Sequence, residues 1–382
     1  MIKTAKRLQD ISEYIFSQLN KEAKIVEKSS GKRVLNFAVG NPDIKPSQKY
    51  LHKLKDFFLE DDVHLYPGYG ATLNLSDALI AWYKKRFAVT LDKNELLPLL
   101  GAKDGIAHIT FALFDKGDEV LIPNPGYPAY AAPVKLIGAV PVFYDLKEED
   151  DFKLNLSSIK EKITSKTKAI WINFPSNPTG QIITREELEK LIALAKQNNI
   201  LALFDNAYSE ITFDGYKAPS ILQIKGAKDV AIEFGSFSKS FSFAGFRMGW
   251  AVGNEQVIAA LAKVKTHMDS GLALPLQRLG AYALTNTDKK WHDEMIATYQ
   301  KRREIVAQKL TQLGLTFTLP KATLYIWAKI PPTEKNSGEF CHRILKEKQI
   351  LLTPGTAFGS SGERYVRVSI GIDISKIEEY FT

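Results

Sequence analysis

The chain of 382 residues is poor in the residues and runs that mark secreted and membrane proteins. It has a single cysteine, Cys341, so an intrachain disulfide is excluded. No apolar run reaches the ~20 residues that a membrane-spanning helix needs. The basic N-terminal segment, residues 1–7, is not followed by the apolar stretch of a signal peptide. These absences predict a cytoplasmic location and no membrane partner.

The sequence also lacks the spacings that mark metal and nucleic-acid sites. Its six histidines and single cysteine form no H-x-x-x-H or C-x-x-C pattern, so no metal site is predicted. The formal net charge of +8 is spread along the chain, and no helix-turn-helix appendage is recognisable, so no nucleic-acid partner is predicted. A mildly basic surface would help to attract anionic metabolites.

The composition is that of an ordinary globular protein, and the order of its predicted elements is that of an α/β fold. The chain is 45% hydrophobic and 25% charged, and its length suits two domains. Apolar runs of strand length alternate with helical periods up to about residue 313. From Gly314 a smaller α+β pattern follows, with predicted strands at 317–319, 324–330, 350–352 and 365–370. We predict a large domain at 46–286 and a small domain built from 1–45 and 287–382.

Polar and glycine-containing turns follow five of the predicted strands, at residues 101–103, 123–127, 175–180, 205–208 and 235–239. In an open α/β sheet, ligands bind beyond the carboxyl ends of the strands. The turn at 101–103 also opens a helix, and the free N–H groups of a helix N-terminus suit a phosphate. Five such turns converging on one edge predict a binding site for an anionic ligand.

The stretch at residues 235–250 is the centre of this pattern. It is rich in small and hydroxylated residues and carries Lys239 and, eight residues on, Arg247. A lysine amine can form a Schiff base with an aldehyde, and an arginine with neighbouring hydroxyls can hold a phosphate. Taken alone, such a stretch is far more often a solvated loop with an ordinary lysine, and only the rest of the chain favours the chemical interpretation.

The motifs together resemble those of a known family. Residues 177–180 read Asn-Pro-Thr-Gly, 205–208 read Asp-Asn-Ala-Tyr and 236–239 read Ser-Phe-Ser-Lys, with an arginine at 247. This set resembles the class I/II pyridoxal-phosphate-dependent aminotransferases of fold type I, over nearly the whole chain. Residues 205–211 and 267–271 further resemble the branch of LL-diaminopimelate and aspartate-aminotransferase-like enzymes. The resemblance implies a mostly parallel sheet flanked by helices in a large domain, plus a smaller α+β domain.

The resemblance implies pyridoxal 5′-phosphate as the cofactor and assigns catalytic roles to three residues. Lys239 would form the Schiff base with the cofactor aldehyde and move the substrate proton. Asp205 would pair with the pyridine nitrogen and keep it protonated. Tyr208, with Asn177, would hydrogen-bond the phenolic oxygen of the cofactor.

Further cofactor and substrate contacts are implied in the same way. Tyr127 would stack on the cofactor ring, and Arg367 would grip the substrate α-carboxylate as a bidentate fork. Gly40 would line the substrate pocket with its backbone, beside Asn177, and Tyr14 corresponds to a substrate-side tyrosine. The expected phosphate contacts are Ala102, Lys103, Ser236, Ser238 and Arg247.

Tyr66 matches a tyrosine that reaches the phosphate of the neighbouring subunit, so the resemblance implies a homodimer with shared active sites. The segment that follows departs from the family: it ends Tyr69-Gly70-Ala71, where relatives usually have Tyr-Glu-Gly. That region helps to line the distal substrate pocket. We also find no clear second arginine for a side-chain carboxylate, so the donor and the acceptor are left open.

Three functions are compatible with these residues. The first is an aminotransferase that moves an amino group between an L-amino acid and a 2-oxo acid by a ping-pong route. The second keeps the cofactor but eliminates a β-substituent, as a C–S β-lyase does. The third is a non-catalytic, cofactor-binding regulatory protein, which the full set of catalytic residues and the lack of an appended DNA-binding domain disfavour.

Overall fold

The computed structural model describes residues 3–9, 11, 13 and 15–381. The strands in this part of the chain are β1 Leu35–Asn36, β2 Leu96–Leu99, β3 Glu119–Asn124, β4 Val140–Asp145, β5 Thr167–Asn173, β6 Leu201–Asp205, β7 Ala231–Ser236, β8 Gly249–Gly253, β9 Tyr325–Lys329, β10 Ile350–Leu351, β11 Thr353–Pro354 and β12 Tyr365–Ser369. Seven of them form the central sheet, in the order β2-β8-β7-β6-β5-β3-β4.

Strand direction decides which loops meet at one edge of this sheet. Strands β3 to β7 run parallel to one another, whereas β8 is antiparallel to both β7 and β2. Two reversals restore the direction, so the carboxyl end of β2 lies at the same edge as those of the parallel strands. The start of β8, just after Arg247, lies at that edge as well. The predicted α/β architecture and the convergence of the five turns are thus confirmed.

Helices flank the sheet and form the connections. They are α1 Ile15–Ser30, α2 Gln48–Phe57, α3 Leu73–Phe87, α4 Ala102–Leu113, α5 Ala131–Leu136, α6 Leu156–Lys160, α7 Arg185–Asn198, α8 Ala227–Val230, α9 Phe237–Ser240, α10 Glu255–Met268, α11 Leu274–Thr285, α12 Lys289–Gln312 and α13 Ser337–Lys348. The spacing of Thr184 and Glu187 in the sequence predicts a capping box at the start of α7, and the structure has it, because each residue bonds the backbone N–H of the other. Among the described residues, no helix combines the length and apolarity needed to cross a membrane.

The C-terminal part of the chain forms a second sheet, in which β12 lies between β11 and β9 and is antiparallel to both. Strand β1 from the N-terminal part pairs in parallel with β10, so the two chain ends share one unit. Phe37, Ile326 and Val368 belong to its core cluster. The boundaries at residues 46 and 286 stay a prediction.

Two predicted elements of the C-terminal part differ from the structure. The strand predicted at 317–319 is wrong: only Thr316 pairs there, in an isolated bridge with Lys329, because Pro320 follows at once and removes a ladder donor. The residues after Ile374 also predict a helix from their sequence, but the structure has only a single 3-10 turn at Ile377–Tyr380. The apolar period of residues 11–28 predicts the first helix, which runs over Ile15–Ser30 in the structure; residues 12 and 14 lie outside the described residues.

Candidate active site

A cavity of about 500 Å³ opens at the carboxyl edge of the central sheet. It gathers most of the site residues that the sequence predicts: Gly40, Ala102, Lys103, Tyr127, Asn177, Asp205, Tyr208, Ser236, Ser238, Lys239, Arg247 and Arg367. Tyr66 is not among its lining residues, and Tyr14 lies outside the described part of the chain.

Lys239 projects into the cavity from the short helix α9, whose first turn is capped by the hydroxyl of Ser236. Its Nζ donates a 2.6 Å hydrogen bond to the carbonyl oxygen of Gly40. Burial, together with the positive charges of Arg367 and Arg247, lowers the pKa of the amine to about 7. A large fraction of the amine is therefore neutral near pH 7, and a neutral amine can act as a nucleophile and as a base.

Asp205 ends β6 and is 5% exposed. Its Oδ2 accepts a 2.7 Å hydrogen bond from the hydroxyl of Tyr130, and its Oδ1 accepts a bond from the backbone N–H of Ala207. Burial raises the pKa of Asp205 to about 6, against the opposing effect of these hydrogen bonds. Such a carboxylate gains stability from a positively charged partner in the cavity.

Tyr208 lies on the turn after β6 and is also buried. Its hydroxyl is 2.7 Å from the hydroxyl of Tyr325, and its ring lies 5.8 Å from the amine of Lys239. Burial raises the pKa of Tyr208 well above the ordinary value for tyrosine. The hydroxyl thus stays protonated at neutral pH and can serve as a hydrogen-bond donor.

One end of the cavity is built to hold an anion. Gly101 precedes α4 with a φ of +85°, and an added Cβ would overlap the guanidinium of Arg247. The absent side chain lets this cation lie against the start of a twelve-residue helix, where the helix dipole also favours negative charge. The buried hydroxyls of Ser236 and Ser238 face the same space.

At the opposite end, Arg367 is 2% exposed. Its Nη1 donates to Oδ1 of Asn177 at 2.9 Å and its Nη2 to the carbonyl oxygen of Ala38 at 2.7 Å. Its Nε is buried and has no hydrogen-bond partner among the described residues. A buried arginine with no carboxylate partner in its own hydrogen bonds is suited to binding a carboxylate from outside.

The loop around Tyr66 is exposed and does not contribute to the lining of the cavity. Tyr66 is 86% exposed and Tyr69 is 48% exposed. Gly68 and Gly70 have open space where a Cβ would be. The proposed contact of Tyr66 with a phosphate therefore depends on a second subunit.

The sequence reasoning missed three buried residues of the site. Tyr130 bonds Asp205 and stacks on Trp171 with ring centroids 4.7 Å apart. Asn173, the last residue of β5, donates to the carbonyl oxygen of Asp205 and accepts from the backbone N–H of Asn177. The strand-end rule that found the other residues would have found Asn173. Tyr325 belongs to the second sheet, and nothing in the sequence marks its approach.

Comparison with known protein families identifies the family of this chain. The model of the family described as aminotransferase class I and II matches residues 32–381. The chain belongs to this family. As one of its members it is an aminotransferase, an enzyme class that acts on amino acids and 2-oxo acids through pyridoxal phosphate, and the expected family and fold are confirmed.

Similar proteins agree with this assignment of the aminotransferase. An LL-diaminopimelate aminotransferase from Dehalococcoides mccartyi is 39% identical over 380 residues, which are 99% of this chain and 97% of that protein. The apo structure of BacF from Bacillus subtilis has a TM-score of 0.94 at 32% identity, covering 100% of this chain and 97% of that one. An aspartate aminotransferase from Thermotoga maritima has a TM-score of 0.91 at 26% identity, covering 99% and 98%. These relatives do not favour the lyase alternative.

Proposed function

We propose that this aminotransferase binds pyridoxal 5′-phosphate in the cavity and transfers amino groups between an L-amino acid and a 2-oxo acid through Lys239. One observation carries the proposal: an amine with a pKa lowered to about 7 lies in one cavity with the buried carboxylate of Asp205, Arg247 and Arg367. When bound, the cofactor supplies an aldehyde for the amine and a ring that accepts electrons from the substrate α-carbon.

The residues of the cavity fit the chemical groups of this cofactor. Asp205 needs a positive partner, which a protonated ring nitrogen provides. The hydroxyl of Tyr208 and the amide of Asn177 suit a phenolic oxygen, and Tyr127 suits the ring face. The phosphate would be held by Ala102, Lys103, Ser236, Ser238 and Arg247.

The substrate would lie between Lys239 and Arg367. Arg367 would hold the α-carboxylate, and Asn177, which already bonds Arg367, would orient it. Gly40 would line the pocket with its backbone. We place Tyr14 near the substrate on the family resemblance alone.

In this arrangement Lys239 would also move the proton. Its neutral amine would take the proton from the substrate α-carbon and later release it, while the bound cofactor would supply the electron-accepting ring. The 2.6 Å bond to the carbonyl of Gly40 gives the resulting ammonium an acceptor. The low pKa allows both the uptake and the release of the proton near neutral pH.

We propose LL-diaminopimelate as the first amino donor to test, because similar proteins with this activity cover nearly the whole chain. Aspartate is the second donor, on the more distant Thermotoga maritima relative. The arginines among the described cavity residues are Arg247 and Arg367, and both have proposed roles. A distal carboxylate would thus need a partner other than these two arginines.

We also propose that two copies of the chain form the active enzyme. Large apolar side chains are exposed in one stretch around Tyr66: Phe58, Leu59, Leu65, Tyr69 and Leu73, each at least 48% exposed. A second copy would cover this surface and receive the hydroxyl of Tyr66 at its phosphate site.

A panel of amino donors against 2-oxoglutarate tests the proposed function. We expect the protein loaded with pyridoxal phosphate to form 2-oxo acid and glutamate from at least one donor. Lys239→Ala is expected to abolish turnover, whereas Lys263→Ala, an exposed lysine on α10, is the matched control. Donor-independent release of ammonia without glutamate would contradict amino transfer.

A further inference from the structure

Tyr325 joins the two ends of the active-site cavity, although it belongs to the second sheet. It opens β9 and is 2% exposed. Its side chain contacts Tyr208 on the proposed cofactor side and Arg367 on the proposed substrate side. Its hydroxyl also lies near the backbone carbonyl of Gly40. These three contacts place Tyr325 where it can fix the orientation of both Tyr208 and Arg367.

We propose that Tyr325 is a positioning residue: its hydroxyl donates to the hydroxyl of Tyr208, and its ring holds the guanidinium of Arg367 against the cavity wall. This inference rests on the proposed function, since it assumes that Tyr208 faces the phenolic oxygen of the cofactor.

The direction of the hydrogen bond follows from counting hydrogens. The two hydroxyl oxygens are 2.7 Å apart, and the geometry allows either to be the donor. A hydroxyl has one hydrogen. If Tyr208 directs its hydrogen at the cofactor, the hydrogen of the 2.7 Å bond must come from Tyr325. The carbonyl of Gly40, 3.5 Å from the same hydroxyl, is the weaker acceptor by distance.

The ring of Tyr325 has a separate task. The guanidinium carbon of Arg367 lies 4.2 Å from its centroid. The rings of Phe358 and Phe16 lie 4.8 and 4.9 Å from the same carbon. Stacking on aromatic faces fixes the plane of a guanidinium. The ring of Tyr325 therefore orients the fork of Arg367 while its hydroxyl acts on Tyr208.

Gly40 shows how closely Tyr325 is packed. A Cβ added to Gly40 would overlap the hydroxyl oxygen of Tyr325 and lie 2.9 Å from its Cζ. The same glycine accepts the hydrogen bond of Lys239. The missing side chain thus makes room for the hydroxyl of Tyr325 next to the reactive lysine.

A donor behind Tyr208 polarises its O–H bond and makes it a stronger donor to the cofactor. The phenolic oxygen then carries negative charge more readily, and the lysine-bound cofactor loses its proton at lower pH. Cooperative strengthening is about 10–30% per bond, here of a charge-assisted hydrogen bond. Removal of the hydroxyl should therefore raise the midpoint of the cofactor titration by about 0.1 to 0.7 pH units.

The test is a spectrophotometric pH titration of the protein loaded with pyridoxal phosphate, without substrate. Tyr325→Phe should raise the midpoint of the visible band by that amount and leave KM for the amino donor unchanged, because the ring remains. Tyr325→Leu should raise KM as well. In a Tyr208→Phe background, Tyr325→Phe should cause no further shift, since its effect passes through Tyr208.

Tyr144→Phe is the matched control. This tyrosine is fully buried and also donates one 2.7–3.0 Å bond, to the carbonyl of Trp171 at 2.8 Å, but it does not line the cavity. An unshifted midpoint in Tyr325→Phe, an equal shift in Tyr144→Phe, or an additive shift in the Tyr208→Phe background would overturn the inference. A wild-type protein that gives no visible band on loading would instead contradict the proposed function.

Discussion

At the scale of the residue, the chemistry depends on how the protein changes the protonation of Lys239. The unperturbed amine has a pKa near ~10.4, and the site lowers it to about 7. The cause is burial beside two arginines, for which we propose other roles: Arg367 would bind a carboxylate and Arg247 a phosphate. One set of positive charges would therefore both bind anions and activate the amine.

This protonation shift predicts a pH dependence of stability in the cofactor-free protein. Between about pH 7 and 10 the unfolded chain binds a proton on Lys239 that the folded chain does not bind, so stability rises with pH in this window. The rise is up to about 1.4 kcal/mol per pH unit. Urea unfolding of the wild type and of Lys239→Met at pH 7, 8 and 9 measures it.

The difference in unfolding free energy between the two proteins should change by that amount from one pH to the next. Comparing the wild type with Lys239→Met removes the contributions of other groups. Asp205, for example, has its pKa raised to about 6, so its contribution to stability falls as the pH rises from about 4 to 6. A constant difference between pH 7 and 9 would show that the amine is not desolvated.

At the scale of the element, an ion cluster around the buried Lys265 ties helix α4, at the proposed phosphate end of the cavity, to α10. Nζ of Lys265, on α10, lies 2.6 Å from Oδ2 of both Asp104 and Asp269. Asp104 also accepts the backbone N–H of Leu100, just before α4. Burial alone would raise the pKa of Asp104, but hydrogen bonds from His108 and Lys265 lower it to about 2.

This cluster includes three potential metal ligands, Asp104, His108 and Asp269. The ammonium of Lys265 already lies between the two carboxylates and supplies the positive charge that they need. The cluster is therefore a structural ion pair at the base of the phosphate end of the cavity.

We expect Lys265→Met to destabilise the protein by about 3–5 kcal/mol, since it leaves two partly buried carboxylates without their cation. Chemical denaturation measures the change. Lys263→Met, on an exposed position of the same helix, is expected to stay within about 0.5 kcal/mol of the wild type. Equal midpoints for the two variants would mean that the cluster adds nothing to stability.

Elements also show where sequence reasoning succeeds. The carboxyl ends of β5, β6 and β7 could be predicted because buried parallel strands read as apolar runs bounded by turns. The residues that act across elements could not. Tyr325 reaches the site from the second sheet, and its partner Tyr208 is more than a hundred residues away in sequence. The hydrophobic periodicity of a helix or strand shows which of its faces is buried, but not which other element packs against that face.

The same limit explains the strand wrongly predicted at 317–319. Its apolar residues have strand character, and Phe317 packs against the core of the C-terminal unit. A strand also needs repeated backbone pairing, however, and this segment meets the outer edge of β9 only through the Thr316–Lys329 bridge. Side-chain burial alone therefore did not produce a strand.

At the scale of the whole molecule, the shared active site predicts complementation between inactive subunits. Lys239→Ala and Tyr66→Ala each damage a different part of the site. If Tyr66 serves the neighbouring subunit, a hybrid dimer has one site with both defects and one intact site. Unfolding and refolding an equal mixture should then recover about a quarter of the wild-type activity, because half of the dimers are hybrids.

The control for complementation is a mixture of Lys239→Ala with Asp205→Ala, two changes on the same side of the proposed interface. If Asp205 and Lys239 serve the same subunit, each site of that hybrid keeps one defect and no activity returns. Failure of the Tyr66 mixture to exceed this control would contradict a site shared between subunits.

The most direct test of amino transfer through Lys239 is the half-reaction. Protein loaded with pyridoxal phosphate is mixed with an excess of LL-diaminopimelate, aspartate or another accepted donor and no oxo acid. We expect a burst of one 2-oxo acid per Lys239 site, loss of the visible band near ~420 nm, no ammonia, and no burst in Lys239→Ala. Continuous ammonia release, or an equal burst in Lys239→Ala, would contradict amino transfer through Lys239.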